Sequence, residues 1–390
     1  MSAEFIKLIS ELHTERFNAH LGELAKNQTP VGIFFGFELV PDEAATNIQM
    51  FVKTGLNVTC AIVLADRQAD ALKNFVDVPV VALEDISRLG EENFPVKPRE
   101  VFLVELLRDR AFTPYFLSHG IEVITTLYSQ TQPKYFSLIM EHLLELYAVH
   151  ESFIDDESRK VFRAVIKGRL TGKLSDYRFA SEPQYFLDGF LPTAGDIAID
   201  GGAYDGATAE SFAKLGAKVF AFEMDADNYR NCLARVGENP NITFENLGLS
   251  DKTGEENYWA NDTGSQKNPN GDMCAKFVDL DTYVAQKNLP RVDYIKLDIE
   301  GAELAMLHGA AKTIARCKPK MAISAYHRWE DLWLLAAYVM SLRPDYEFAF
   351  RHYKVDCTDY LLDDDQRAIL KYFGLSWLIP NAGEFVLYCR

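Results

Sequence analysis

The sequence lacks close pairs of cysteines. Its 390 residues contain six, far apart along the chain: Cys60, Cys232, Cys274, Cys317, Cys357 and Cys389. A structural zinc site or a disulfide framework needs cysteines at short, regular spacings, so this pattern excludes both. We therefore expect mostly buried free thiols in a reducing compartment.

Long apolar runs are missing as well. No segment approaches the roughly 20 apolar residues that span a bilayer. The first segment, MSAEFIKLISELHTERFNAHLGELAKN, keeps charges throughout and is typical of an amphipathic helix rather than a signal peptide. We expect no membrane span and a cytoplasmic location.

Positive charge is scarce. The chain has 40 basic and 57 acidic residues, which gives a net charge of −17. Such a surface repels polyphosphate over most of its area and disfavours nucleic-acid binding. The expected partner is a small molecule or a glycan, and a homo-oligomer is left open.

Length and alternating β-rich and helical segments predict two α/β domains, since 390 residues exceed the usual size of one core. We predict an N-terminal helix at 1–28 and a Rossmann-like module at 29–130. A helical connector at 131–190 and a second α/β domain at 191–390 follow.

The first module lacks the glycines of a dinucleotide site. Its first strand-to-helix turn, FFGFELVPDEAA, contains Gly36, followed by Phe37, Glu38 and Leu39. A dinucleotide loop needs glycines where the backbone turns tightly against the pyrophosphate, which Glu38 would also repel. We expect a scaffold or partner-recognition module that binds no NAD.

A glycine loop follows the first strand of the second domain. In IDGGAYDG, Asp200 ends the strand, Gly201 and Gly202 follow, and Gly206 precedes a helix. Glycines there let the backbone pass close under a ligand and bring helix N-terminal amides beside a carboxylate or phosphate. A triphosphate loop would need a lysine at the helix start, which is absent. The remaining candidate ligands of this loop are a dinucleotide and S-adenosylmethionine.

Asp200 separates these two ligands. An acid ahead of the loop repels a pyrophosphate but attracts the sulfonium and ammonium groups of S-adenosylmethionine. Glu223, at the end of the next strand, is placed to accept ribose hydroxyls from either ligand and does not discriminate. We therefore favour S-adenosylmethionine as the cofactor.

Further acids follow later strands, whose carboxyl ends converge on one crevice in an open α/β sheet. The third strand, in NITFENLGLSDKTGE, is predicted to end near 246–251, where Ser250 or Asp251 could read an adenine edge. A fourth ends at Asp298. The predicted cofactor-binding residues are Asp200, Gly201, Gly202, Ala203, Tyr204, Gly206, Glu223, Met224, Ser250, Asp251 and Asp298.

Five segments of the second domain resemble one family. In order and spacing, IDGGAYDG, VFAFEMD, NLGLSD, FVDLDTYV and VDYIKLDIEGAELAMLHGA are similar to the FkbM-type S-adenosylmethionine-dependent methyltransferases. The resemblance implies a class I methyltransferase fold with a mostly parallel seven-stranded sheet. It also implies O-methylation, commonly of a sugar hydroxyl in a glycan or glycosylated metabolite. It implies cofactor binding at Asp200, Gly202, Gly206 and Glu223. It also implies that Asp298 borders the methyl-transfer site.

A sugar hydroxyl is a poor nucleophile until its proton is removed, and histidine suits that task near neutral pH. His327, at the predicted end of the fifth strand in MAISAYHRWED, is the first choice, and Asp298 is the second. The alternative for His327 is a hydrogen-bonded structural histidine. Ser324 or Ala325 stands where many relatives carry an acid.

A divalent metal is a further alternative at Asp298, Glu300, Glu303 and His327. Glu300 and Glu303, however, open a helix, where acids stabilise the N-terminus without an ion. We predict no metal.

Two flanking segments are open to two interpretations each. In the connector, Tyr185 and Phe186 either lie over the cleft of the second domain or pack the two domains together. The tail contains an additional segment before EFVLYCR, which is expected to be the last strand of the sheet. This inserted segment either selects the substrate or forms an interface.

Two rival functions are weaker. A scaffold that kept the fold but lost the chemistry would not need the glycines at 202 and 206, which weaken local order. A NAD-dependent oxidoreductase using the first module is disfavoured by the segment FGFELV.

Overall fold

A computed structural model describes residues 1–15, 17–37, 39–103, 107–125, 133–260, 265–356, 362–376, 378–379 and 383–390. Their contacts divide the chain into two compact units. The first comprises Met1–Leu143, Lys160–Phe179 and Tyr353–Ala382, and the second comprises Leu144–Arg159, Ala180–His352 and Gly383–Arg390. The predicted four-part division stays a prediction, and Glu38 lies outside the described residues.

Helices occur in both units. The α-helices are α1 (Ala3–Glu15), α2 (Phe17–Lys26), α3 (Pro41–Lys53), α4 (Asp66–Lys73), α5 (Thr113–Ser118), α6 (Pro133–Glu141), α7 (Leu143–Ser152), α8 (Asp156–Thr171), α9 (Ala207–Lys214), α10 (Ala226–Val236), α11 (Leu280–Gln286), α12 (Glu303–Gly309), α13 (Ala311–Cys317), α14 (Asp331–Leu342) and α15 (Asp364–Tyr372). Short 3₁₀-helices cover Leu83–Arg88, Leu107–Phe112 and Leu174–Asp176. Within the described ranges, no helix combines the length and apolar character needed to cross a membrane.

The strands are likewise divided between the units. They are β1 (Pro30–Phe35), β2 (Asn57–Val63), β3 (Val80–Ala82), β4 (Glu100–Leu103), β5 (Glu122–Thr125), β6 (Ile197–Gly201), β7 (Lys218–Phe222), β8 (Ile242–Glu245), β9 (Gly248–Ser250), β10 (Gly254–Trp259), β11 (Gln266–Lys267), β12 (Met273–Asp279), β13 (Tyr294–Leu297), β14 (Lys320–Ser324), β15 (Phe348–His352), β16 (Val355–Asp356), β17 (Leu378–Ile379) and β18 (Phe385–Cys389).

The first unit is built on a five-stranded sheet in the order β3-β2-β1-β4-β5. All its strand pairs are parallel. Strands such as PVGIFF and EVFL are short apolar runs that are almost wholly buried, as a parallel sheet covered on both faces requires. The predicted α/β fold is confirmed here, and the strand order reverses between β1 and β4.

The loop after β1 carries an internal carboxylate. The N–H groups of Gly36 and Phe37 each donate to Asp109, at 3.0 Å, and Asp109 is 2% exposed. A Cβ at position 36 would overlap that carboxylate. Dinucleotides bind where the strand order of such a sheet reverses, with backbone amides facing the phosphates. In this unit, an acid of the chain itself accepts hydrogen bonds from those amides.

Asp109→Ala should destabilise the first unit, because it removes the acceptor of two buried amides. Each orphaned buried donor costs about 1–3 kcal/mol, so we expect the free energy of unfolding in urea to fall by about 2–5 kcal/mol. The control is Asp70→Ala, whose side chain is 75% exposed and which should change stability by less than about 0.5 kcal/mol. Equal losses in the two variants would contradict this account.

The second unit contains a seven-stranded sheet in the order β15-β18-β14-β13-β6-β7-β8. Its strands are parallel except β18, which runs antiparallel to both β14 and β15. The predicted mostly parallel seven-stranded sheet is confirmed, with FVLYC as the strand that completes it. A smaller sheet has the order β11-β10-β12-β9.

Strand register brings three chain segments to one edge of the larger sheet. Gly201 at the end of β6 pairs with Phe222 in β7 and with Leu297 in β13. The next residue along each strand is therefore Gly202, Glu223 or Asp298. Three neighbouring parallel strands thus end level with one another, and their following residues share this edge.

One predicted strand is two separate strands. The main-sheet strand β8 ends at Glu245, whereas Gly248–Ser250 forms β9 and pairs with β12 in the smaller sheet. The predicted third strand therefore ends one residue before the range 246–251, and the rest of that range includes a further strand of the smaller sheet. A Cβ at Gly248 would overlap the ring of Phe277 in β12, so this pairing requires glycine.

The segment between β15 and β18 belongs to the first unit. Within it, β16 pairs antiparallel with β17. Helix α15 begins with a capping box in which Asp363 and Gln366 satisfy each other's backbone N–H groups. The role of this whole segment, in substrate selectivity or in an interface, stays a prediction.

Candidate active site

A cleft that is partly open to solvent lies at the shared edge of β6, β7 and β13. Its wall carries the acids Glu223, Asp298 and Glu300, the base Lys267, and apolar groups such as Met224. The ammonium group of Lys267 forms an ion pair with Glu256. The wall is therefore acidic on balance and suits a ligand that combines cationic and apolar parts.

The loop after β6 needs glycine where it passes the next strand. Gly202 has φ +78°, and a Cβ there would overlap the carbonyl oxygen of Asp298. Gly206, with φ +82°, immediately precedes α9. Both angles lie in the left-handed region that glycine adopts without strain. The loop can therefore bend around the edge of β13 and leave Gly202 and Tyr204 on the cleft wall.

Glu223 is fixed by backbone amides. Its two carboxylate oxygens accept hydrogen bonds from the N–H groups of Tyr204 and Asp225, both at 2.9 Å. The residue is 7% exposed. Burial raises the pKa of Glu223 to about 7, although the two amides act to lower it. This carboxyl group therefore changes charge near neutral pH.

Asp200 lies behind the cleft, not in it. It is fully buried, and the Nζ of Lys296 is 3.2 Å from its Oδ1. The same Nζ donates to the carbonyl oxygens of Gly201 and Gly202, at 3.2 and 2.7 Å. Burial lowers the pKa of Lys296, but Asp200 and other nearby acids raise it above its ordinary value. A buried ammonium ion therefore connects Asp200 to the glycine loop.

Asp298 is the centre of a hydrogen-bond network. Its Oδ2 accepts from the hydroxyl of Tyr185 at 2.7 Å, and its Oδ1 accepts from the hydroxyl of Tyr326 at 3.0 Å. Burial raises the pKa of Asp298, but the positive charges of Lys296 and His327 lower it below the usual range. Asp298 is therefore ionised at neutral pH and held in place from two sides.

His327 is surrounded by carboxylates. Its Nδ1 is 2.9 Å from Glu303 Oε1, and its Nε2 is 3.4 Å from Glu300 Oε2 and 3.6 Å from Asp298 Oδ1. Burial lowers the pKa of His327, but the three carboxylates raise it well above the ordinary value of histidine. The ring therefore carries a proton at neutral pH unless another cation takes its place.

Three residues at or next to the cleft have strained backbone angles. Seven described residues other than glycine have positive φ angles, and Tyr185, Tyr204 and Glu300 are three of them, at 68°, 51° and 55°. Residues with side chains adopt such angles at a cost, and they cluster at functional sites. Tyr204 and Glu300 line the cleft, and Tyr185 binds Asp298 from behind it.

The structure brings together some of the predicted residues and separates others. Gly202, Tyr204, Glu223, Met224 and Asp298 line the cleft. Those placed elsewhere in the second unit, outside the lining, are Asp200, Gly201, Ala203, Gly206, Ser250, Asp251 and His327.

The segment expected to read adenine is shifted. The cleft is lined by Leu247, Gly248 and Leu249. Ser250 is fully buried, and its hydroxyl donates to Asp251 at 3.0 Å. Asp251 lines a separate surface groove. The Ser250 hydroxyl also accepts a hydrogen bond at 3.1 Å from Lys267, which lines the cleft. Ser250 thus contacts a residue of the cleft wall without lining the cleft itself, and Asp251 lies outside the lining.

Sequence reasoning missed Lys296 and Tyr326 and left Tyr185 undecided. A lysine inside the apolar strand YIKL is unusual, since a buried charge needs a partner, and this pattern could have identified Lys296. Tyr185 donates to Asp298 within the second unit but does not line the cleft, so both of its interpretations stay predictions. No sequence pattern singles out Tyr326.

Lys296→Met should lower the free energy of unfolding by about 3–5 kcal/mol, because it leaves Asp200 buried without a cation. Adding Asp200→Asn should recover part of this loss, since a neutral amide needs no counter-charge. Urea unfolding of the two single variants and the double variant measures the coupling. Lys214→Met, at a 69% exposed side chain, is the control. Strictly additive losses would rule out a coupled pair.

Comparisons with known proteins agree with this site. Residues 200–352 match the family model described as the methyltransferase FkbM domain. A search of curated proteins found no match. The crystal structure of methyltransferase FkbM from Methylobacillus flagellatus KT is similar over 99% of this chain and 98% of that chain, with a TM-score of 0.63 and 20% identity. This likeness shows the fold.

Other solved structures are more distant. Phosphoethanolamine N-methyltransferase 2 from Haemonchus contortus, in complex with S-adenosyl-L-methionine, covers 98% of each chain with a TM-score of 0.26 and 9% identity. Precorrin 8w decarboxylase from Methanobacterium thermoautotrophicum covers 51% of this chain and 82% of that chain, with a TM-score of 0.31 and 15% identity. No argument rests on these two. The match of residues 200–352 to the model of the methyltransferase FkbM domain confirms the family resemblance that the sequence motifs predicted.

Proposed function

We propose that this methyltransferase uses S-adenosylmethionine to methylate a hydroxyl group of a sugar, a glycan or a glycosylated metabolite. The observation that carries the proposal is the register of β6, β7 and β13, which places Gly202, Glu223 and Asp298 on one cleft. The family match supports methyl transfer. The choice of an oxygen acceptor rests on the carboxylate at the cleft and on the sequence resemblance.

The cleft fits the proposed cofactor. S-adenosylmethionine supplies, when bound, an electrophilic methyl group on a sulfonium ion. Glu223 would accept the ribose hydroxyls, and Met224 and Leu249 would pack against the adenine. Glycine at position 202 lets the loop pass against the carbonyl oxygen of Asp298 and keeps its backbone on the cleft wall. Asp298 and Glu300 attract a cationic ligand and would repel a pyrophosphate.

Asp298 is the proposed acceptor of the hydroxyl proton. It touches the cleft and is ionised at neutral pH. Once an oxygen begins to bond to a methyl carbon, its proton becomes strongly acidic, so even a carboxylate of low pKa can accept it. Tyr185 and Tyr326 hold both Asp298 oxygens and orient the carboxylate.

His327 is the proposed partner of Asp298 in catalysis. Three neighbouring carboxylates keep a proton on its ring, so the ring is a poor base. Its positive charge lowers the pKa of Asp298 and keeps that carboxylate free to accept a proton. The two predicted catalytic residues thus act as a pair, with the base assigned to Asp298.

Calorimetry on the full chain should show binding of S-adenosylmethionine and S-adenosylhomocysteine, and no heat with NAD. Affinity should rise with pH through about 7, because ribose hydroxyls donate best to an ionised Glu223. Below that pH, binding must release the proton of Glu223, which weakens affinity by at most about tenfold per pH unit.

Glu223→Gln should weaken binding and flatten this pH profile, whereas Glu210→Gln, on α9, should leave both unchanged. Binding of NAD alone would overturn the cofactor proposal. A pH profile that survives in Glu223→Gln would remove Glu223 from ribose recognition.

Asp298→Asn should reduce turnover by about 10²–10⁴-fold, the usual contribution of a positioned acid or base. The assay measures S-adenosylhomocysteine released from S-adenosylmethionine with a panel of hexoses, nucleotide sugars and glycosides. His327→Ala should also lose turnover, by a smaller factor, while both variants keep their affinity for S-adenosylhomocysteine. The matched control is His308→Ala, at an exposed position of α12. Unchanged rates in both variants would exclude the pair from catalysis.

A further inference from the structure

A compact group of ligand atoms lies beside the cleft. Asp298, Glu303 and His327 each offer one oxygen or nitrogen atom, and these atoms all lie within 4.8 Å of one another. The three residues come from the end of β13, the start of α12 and the loop after β14. Three separate elements therefore direct ligand-type atoms to one point.

Glu303 is not an ordinary acid of a helix N-terminus. Such acids stabilise a helix from its solvent-exposed first turn, but Glu303 is fully buried. Its Oε1 accepts a hydrogen bond from the N–H of Ile299 at 2.9 Å. Its Oε2 is buried and has no hydrogen-bond partner. Helix stabilisation explains the charge of Glu303 and leaves its burial and its unpartnered oxygen unexplained.

His327 is also poorly satisfied. Its side chain is 8% exposed, and neither ring nitrogen makes a hydrogen bond. The closest carboxylate, that of Glu303, lies 2.9 Å from Nδ1 but out of line for a hydrogen bond. A buried imidazole normally has a well-aligned partner. This one lies among oxygen atoms without bonding to any of them.

The spacing of these atoms fits an ion between them. Two ligand atoms that are each about 2.1 Å from one cation lie about 3–4 Å apart. The Nε2 of His327 is 3.6 Å from Asp298 Oδ1 and 3.4 Å from Glu300 Oε2. Glu303 is nearest to the other ring nitrogen, Nδ1, but one ligand atom from each of Asp298, Glu303 and His327 still lies within 4.8 Å of the others. Direct charged hydrogen bonds would be shorter, about 2.7–2.9 Å.

The local charge also favours a cation. Asp298, Glu300 and Glu303 supply three carboxylates around one imidazole. The nearby ammonium of Lys296 forms an ion pair with a different acid, Asp200. Buried carboxylates in excess of their counter-charges are costly unless paired or bound to a metal. A bound divalent cation would compensate the excess.

We propose that Asp298, Glu303 and His327 bind one divalent metal ion, with Glu300 close enough to contribute a fourth ligand. Carboxylates with one imidazole suit Mn²⁺ or Mg²⁺ better than thiolate-seeking metals. The ion would lie at the Asp298 side of the cleft. Binding would release the proton of His327, and the ion would supply in its place the positive charge beside Asp298. It would also orient an acceptor hydroxyl and lower its pKa. Only this consequence rests on the proposed function, because ion binding itself requires no methyl transfer.

The test is a titration of the full chain with Mn²⁺, followed by the loss of the electron paramagnetic resonance signal of free aqueous Mn²⁺. We expect one site per chain in the absence of any cofactor or acceptor. His327→Ala and Glu303→Gln should each lower the affinity of this site for Mn²⁺ at least tenfold. His308→Ala, on the same helix as Glu303, and Glu330→Gln, next to α14, should bind as the unaltered chain does. Excess Mg²⁺ should displace the Mn²⁺.

Two results would overturn the metal site. One is the absence of stoichiometric Mn²⁺ binding by the unaltered chain. The other is binding that His327→Ala and Glu303→Gln leave unchanged, which would indicate adventitious surface carboxylates. Thermal unfolding of each variant shows whether a loss of Mn²⁺ binding reflects loss of the fold. If a variant does not fold, Glu300→Gln provides a milder substitution that should still weaken Mn²⁺ binding. Calorimetry with S-adenosylhomocysteine is independent, so failure here leaves the cofactor proposal standing.

Discussion

The buried pair of Asp200 and Lys296 is the interaction on which the geometry of the candidate site depends. One ammonium group, 3% exposed, binds the carboxylate of β6 and the carbonyl oxygens of Gly201 and Gly202. It thereby fixes β6, β13 and the start of the glycine loop relative to one another. Neither charge could stay alone in this interior, because an unpaired buried ion is far more costly than a paired one.

Asp298 continues the same arrangement into the cleft. Its backbone carbonyl lies where a Cβ of Gly202 would be, and its side chain binds two tyrosine hydroxyls. One residue thus sets the path of the glycine loop with its backbone and presents a charge to the cleft with its side chain. A substitution here therefore affects both chemistry and geometry, and for this reason the isosteric change to Asn is more informative than a change to Ala.

The sequence predicted those parts of the site that follow from strand order and loop composition. Gly202, Glu223 and Asp298 each follow a buried apolar strand, and neighbouring parallel strands end at one edge. Ser250 and Asp251 were misplaced because β9 pairs with β12, a partner that no local pattern reveals. The attraction between Asp200 and a sulfonium was argued from chain position alone. The structure adds Lys296, whose Nζ accounts for the burial of that acid.

In both units, backbone amides of the loop after the first strand donate to a carboxylate of the same chain. In the first unit, Asp109, 73 positions away from Gly36, accepts two such amides and is itself buried. In the second, the N–H of Tyr204 donates to Glu223, an acid on the cleft wall, whereas Asp200, the acid ahead of the loop in the sequence, is fully buried. The two loops therefore differ in which carboxylate binds them and in where that carboxylate lies, and a glycine pattern alone cannot reveal this difference.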